Sequence, residues 1–201
     1  MKIISNNFNL PEVIGALNQG QTLIYPTETS YGLGCDATNQ VAVNNVFKIK
    51  ARDPQKPVLI IISELDQIKP FINWDERLEI INKKYWPGPL TVIVEAKNPN
   101  QLATGVISGE GLVAFRVTSN QLARELIEGL GRPLVSTSAN QTGELPLYTT
   151  SEIIAKFGTV PNQPDLFIDG GDLPKILPST IIKLVAGGIE IIRQGALTIE
   201  L

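Results

Sequence analysis

Three stretches of the sequence gather side chains that can hold an anion. The first, PTETSYGLG (26–34), sets the hydroxyls of Thr27, Thr29, Ser30 and Tyr31 beside Glu28, Gly32 and Gly34. Hydroxyls and backbone amides at the end of a strand suit a polar ligand, and the glycines would let the backbone approach it; an ordinary Gly-rich turn is the alternative. The second, KIKARDPQKP (48–57), puts Lys48, Lys50, Arg52 and Lys56 against a single acid, Asp53. Arginine forks onto phosphate oxygens and lysine supplies a mobile point charge. A solvated basic helix end, favourable beside the C-terminal dipole, competes with that reading. The third, RPLVSTSANQTG (132–143), ends an apolar run in Ser136, Thr137, Ser138 and Asn140. Polar groups where a strand meets a loop suit a ligand at a sheet edge, and a local Ser/Thr or Asx turn accounts for them equally. Arg116 in AFRVT and Arg193 in IIRQG sit in or beside apolar strands. A buried arginine needs a partner, either a bound anion or an internal carboxylate.

What the chain lacks narrows the chemistry. It has 201 residues, no histidine and one cysteine, Cys35. A Ser-His-Asp triad, a Cys-His pair, a histidine zinc site and a thiolate zinc site are all excluded. Catalysis must rest on Lys, Arg, hydroxyls, carboxylates, backbone amides or a metal carried by the substrate. A net charge of −3 argues against a surface that coats nucleic acid throughout, while leaving room for a local basic patch. GLGCDA (32–37) imitates a dinucleotide fingerprint, but six residues separate Tyr25 from Gly32, and Asp53 precedes the next strand instead of ending it. No P-loop pattern occurs. The lone cysteine and the absence of a long apolar run at the start point to the cytoplasm.

The elements that must position these residues alternate. KII (2–4), TLIY (22–25), VLIII (58–62), LTVIVEA (90–96), LVAFRV (112–117) and PLVSTSA (133–139) read as strands. Helices are expected after Asn9, after Asn39 as far as about Lys50, over 76–85 until WPGP stops it, after Ser119, and from a Thr150 cap to Phe157. Pro54 biases Asp53 away from helix, so the second helix should fray near Ala51 and let Lys50 and Arg52 face the same way. KYWPGPLT (84–91) reads as packing, 159–178 as a loop-rich excursion, and the last stretch as a hairpin about Gly187-Gly188. The sum is one α/β domain over 1–201 with a twisted, mixed sheet.

Taken together and in order, PTETSYGLG, Lys50 and Arg52 with KP at 56–57, and Ser138 and Asn140 in STSAN resemble the YrdC/Sua5 family. WPGPLT, RVT and PST…IRQG fall in matching order, so the resemblance runs from about Asn9 to Gly195. In length the chain is similar to the short bacterial form, and Pro178 stands where longer members carry the acid of an E-S-T. The resemblance implies a twisted open mixed sheet, related to the DHBP synthase fold, with a large concave, positively lined surface. It implies synthesis of L-threonylcarbamoyladenylate and pyrophosphate from L-threonine, bicarbonate or CO₂, and ATP. The product serves N6-threonylcarbamoyladenosine formation at position 37 of tRNAs reading ANN codons. Carried over by motif, Lys50 and Arg52 would be catalytic. With Lys56, Ser136, Ser138, Asn140 and Arg193 they would hold ATP; Thr29, Arg116, Ser138 and Ser179 would hold threonine. Mg²⁺ would arrive on the triphosphate and no protein metal site is expected. Implied partners are tRNA or double-stranded RNA and the TsaB, TsaD and TsaE machinery that uses the product. The alternative is a non-catalytic RNA-binding or ribosome-maturation protein using the same basic cavity.

Overall fold

The structure is a computed structural model that describes residues 1–5, 8–98 and 101–200. Two mixed sheets form. The five-stranded sheet runs β1 (Lys2–Ile4), β9 (Leu166–Ile168), β2 (Leu23–Pro26), β3 (Tyr31–Gly34) and β8 (Thr137–Ser138). The six-stranded sheet runs β11 (Gly188–Arg193), β10 (Thr180–Val185), β5 (Leu90–Glu95), β6 (Leu112–Val117), β4 (Ile60–Ile62) and β7 (Leu134–Val135). Helices α1 (Leu10–Asn18), α2 (Gln40–Lys50), α3 (Arg77–Tyr85), α4 (Gln121–Leu130) and α5 (Thr150–Phe157) pack around them, with a short 3₁₀ turn at Leu65–Ile68. Among the described residues no helix is long and apolar enough to cross a membrane.

Alternation along the strands sorts residues between layers. The continuous apolar run of β4 is buried on both faces: Ile60 and Ile62 enter the larger apolar cluster and Ile61 the smaller. Each such side chain contributes about 1.5–3 kcal/mol on burial. In the neighbouring strands Val92, Phe115 and Ile182 point into the larger cluster. Their alternates Thr91, Ile93, Ala114, Arg116 and Ile181 line one side of a cavity. A period of two thus makes one sheet both core wall and cavity floor.

Four local expectations change. PTETSYGLG does not simply lie beyond the end of a strand: β2 and β3 form an antiparallel hairpin, with Pro26 opposite Tyr31. Gly34 serves packing instead of ligand approach, since a Cβ there would lie 2.4 Å from the Val135 carbonyl oxygen and 2.9 Å from the Tyr25 ring. PLVSTSA is two short strands, not one: β7 joins the six-stranded sheet and β8 the five-stranded one, with Ser136 between them. The 159–178 excursion hides β9, fully inserted between β1 and β2. Two caps move by one residue. Asn120, whose side chain accepts from Ala123 N, starts α4, and Thr149 with Glu152 forms a capping box at α5. The cap of α2 by Asn39 and the closing hairpin stand as read, with Gly187 in the turn at φ 80°.

Candidate functional site

Between the face of the six-stranded sheet and the β2–β3 turn lies a cavity of about 470 Å³. Three arginines line it, Arg52, Arg116 and Arg193, and among the described lining residues there is no carboxylate. Hydroxyls from Thr29, Ser136, Ser138 and Ser179 line it as well.

Each arginine is fixed by its own neighbourhood. α2 stops because Ala51 adopts the left-handed conformation, φ 46°, which few alanines do. The chain then swings Arg52 into the cavity wall. Its Nε donates to the Lys56 carbonyl at 2.7 Å and Nη2 to the Pro57 carbonyl at 2.9 Å. Arg193 Nη2 donates to the Ser179 carbonyl at 2.8 Å and to Ser179 Oγ at 3.2 Å. Neutral carbonyls orient both guanidiniums without cancelling their charge. Burial lowers the pKa of each; the neighbouring Arg116 lowers Arg193 further.

Arg116 is different. It rises from the floor on β6, and its Nε lies 3.2 Å from Glu28 Oε1, close enough for an ion pair though not aligned as a hydrogen bond. Glu28 Oε2 accepts from Thr118 Oγ1 at 3.0 Å. Both readings of a buried arginine therefore hold at once: Arg116 has an internal carboxylate and lines the cavity.

The remaining candidates divide. Thr29 Oγ1 lies 3.2 Å from Thr27 Oγ1, whose hydroxyl closes the hairpin turn on the Ser30 carbonyl. Ser179 Oγ shares a 2.9 Å hydrogen bond with Thr91 Oγ1. Lys50 does not turn the same way as Arg52. Its ammonium donates to the carbonyls of Ser138 and, at 2.8 Å, Asn140, and its own carbonyl accepts from Thr142 N. Lys50 is thus a buried brace behind the Ser138–Asn140 segment. Burial, then the charge of Arg52, lowers its pKa to about 8, with Glu144 opposing. The Asn140 side chain ties its own loop through Nδ2 to Gln141 and Glu144 carbonyls, while its Oδ1 is buried without a partner. The Lys56 side chain is exposed, and its carbonyl serves Arg52. Lys48 is exposed, as the solvated reading has it.

Two residues carry contacts that the sequence does not assign, Glu28 to Arg116 and Tyr25 to Ser136. Glu28 was visible inside PTETS, and the strand-borne Arg116 gave a reason to look for a buried acid. Tyr25 gave no sequence signal, because a tyrosine ending an apolar strand reads as core.

Comparison with known proteins agrees with this architecture. The family model Sua5_yciO_yrdC, described as telomere recombination, matches residues 15–195. A threonylcarbamoyl-AMP synthase of Yersinia pestis is 37% identical over 195 residues, covering 94% of this chain and 97% of that protein. Sua5 of P. abyssi, solved in complex with L-threonine, superposes with a TM-score of 0.86 at 27% identity, over 96% of this chain. The chain spans 57% of that longer protein. E. coli YciO superposes with a TM-score of 0.81 at 25% identity, over 96% of this chain and 94% of that one. The match to the family model over nearly all of the chain, and the near-equal length of the curated relative, place this chain in the Sua5/YciO/YrdC family.

Proposed function

We propose that this chain is a threonylcarbamoyl-AMP synthase, a nucleotidyl transferase that acts in the cytoplasm. The observation that carries the proposal is the convergence of three guanidiniums on one cavity with no carboxylate among its described lining residues. The names of the relatives support it: a curated synthase at 37% identity, and a fold neighbour solved with L-threonine.

In this reading the threonine amine attacks CO₂, giving a carbamate and releasing a proton. A carbamate oxygen then attacks the α-phosphorus of ATP, the bond to the β-phosphate bridge breaks, and pyrophosphate leaves. When bicarbonate is the source, it takes up a proton and loses water to give CO₂. The protein has little covalent work; it must align two anions and neutralise charge as the leaving group departs. Arg116, kept in place by Glu28, takes the threonine carboxylate, with Thr29 and Ser179 beside it. Arg52 and Arg193 take phosphate oxygens, with the Ser138 hydroxyl. Lys50 and Asn140 hold the Ser138 segment, and Lys50 reaches the phosphates only through it. Exposed Lys56 steers the incoming nucleotide.

Hydroxyls and guanidiniums fit a metal that enters with its triphosphate, not one held by the protein. Magnesium so bound would neutralise part of the phosphate charge. The product would serve tRNA modification and pass to the TsaB, TsaD and TsaE machinery. A non-catalytic RNA binder would have no use for an Arg116–Glu28 pair at the floor of a cavity.

The test is mass-spectrometric detection of threonylcarbamoyl-AMP after incubation with ATP, L-threonine and bicarbonate. The adduct should form and should depend on all three. Its absence from folded protein would overturn the proposal.

A further inference from the structure

Tyr25 is fully buried in the smaller apolar cluster, among side chains such as Leu17, Ile61 and Leu126. It keeps one polar partner: Oη donates to Ser136 Oγ across 2.9 Å, inside the protein. Burial pushes the phenol far up from its ordinary pKa, so it stays a neutral donor. A serine oxygen that accepts this hydrogen bond keeps its own hydrogen, and no described residue accepts it. Ser136 lines the cavity.

The surroundings hold this arrangement in place. Ser136 is the one residue between β7 and β8, and its N–H donates to the Leu59 carbonyl at 3.0 Å. A Cβ at Gly34 would meet the Tyr25 ring at 2.9 Å. At Gly32 it would lie 3.4 Å from the ring and 3.5 Å from Ser136 Oγ. Gly34 therefore makes room for the Tyr25 ring, whereas the tight contact at Gly32 would be with Thr27 Cγ2, at 2.9 Å. Arg116 lies near enough to act on the Tyr25 hydroxyl through its charge.

We propose that Tyr25 is a positioning residue that holds the Ser136 hydroxyl as a hydrogen-bond donor toward an anionic oxygen of the substrate, beside Arg116. The oxygen belongs to a carboxylate or a phosphate. The inference rests on the reaction proposed above.

The test is a double-mutant cycle of Tyr25→Phe and Ser136→Ala, in which Phe keeps the ring and removes only the donor. Steady-state kinetics and calorimetric titration with ATP and with L-threonine are run on all four proteins, after thermal melts confirm folding. Tyr25→Phe should lower kcat/KM about tenfold, Ser136→Ala at least as much, and the double variant no more than Ser136→Ala alone. A rise confined to the threonine KM identifies the carboxylate; a rise in the ATP KM or a fall in kcat identifies phosphate. Wild-type kinetics for either single variant, or effects that multiply in the double, would overturn the inference. Absence of turnover in the wild type would sink the reaction instead. The titrations then decide for Tyr25: unchanged affinity for both ligands counts against it, and weakened affinity for one supports it.

Discussion

Two of the depressions on this surface are of similar size and differ in how their charges are compensated. The cavity of about 470 Å³ presents Arg52, Arg116 and Arg193. The second, about 350 Å³, lies past the end of β4 and presents Glu64, Asp66 and Glu79 around Arg124. There Arg124 and Asp66 have local partners. Arg124 Nη1 donates to the Ser63 carbonyl at 2.7 Å and Nη2 lies 3.8 Å from Glu128; Asp66 pairs with Lys69 at 2.6 Å. In the first, backbone carbonyls steer Arg52 and Arg193, and among the described residues the only carboxylate acting on Arg52 is its chain neighbour Asp53, which is not paired with it. Volume does not separate the two. The difference is that the first keeps two of its three guanidiniums, Arg52 and Arg193, oriented without a paired carboxylate, at the cost of burying like charges together.

Breaking that arrangement at its floor should have the largest effect. Arg116→Ala strands Glu28 as a buried charge and should abolish turnover while costing about 3–5 kcal/mol in denaturant unfolding. Adding Glu28→Gln should recover much of the stability and none of the activity. Next, Arg52→Ala should lower kcat/KM about a hundredfold with little change in melting temperature, because its charge is used by ligand and not by the fold.

A smaller effect belongs to Lys50. Its folded pKa, about 8, lies below the ordinary lysine value of 10.5. Between those values the unfolded chain binds more protons, so stability rises with pH across that window. Relative to Lys50→Arg, which stays charged, wild type should gain on the order of 1–3 kcal/mol between pH 8 and 10. Urea titrations at several pH values check this. The smallest effect sharpens the contrast from the other side: Glu79→Gln in the second depression should leave kcat/KM within about twofold and stability within about 0.5 kcal/mol.

The parts of this picture legible in the sequence are those set locally. Asn39 capping α2, the unbroken apolar β4 and the strand-borne Arg116 follow from propensity, pattern and the oddity of a charge in an apolar run. The parts hidden from it depend on distant neighbours. β3 reads as a turn because its glycines are poor strand formers, and only the folded neighbours explain why nothing larger fits: Thr27 at Gly32, the Tyr25 ring and the Val135 carbonyl at Gly34. Lys50 turns away from Arg52 toward carbonyls 88 and 90 positions along the chain. Pro54 signals that α2 ends near Ala51, as it does, but nothing in the sequence signals the left-handed conformation of Ala51 that parts the two side chains. Ser136 joins two sheets within an apolar-to-polar run that reads as one strand.

The most direct test of the central claim is pyrophosphate release from ATP and bicarbonate by the purified protein, with and without L-threonine. The cavity described here predicts release that requires threonine, saturates with it, and falls about a hundredfold in kcat/KM with Arg52→Ala. Release that ignores threonine, or survives Arg52→Ala undiminished, would contradict it.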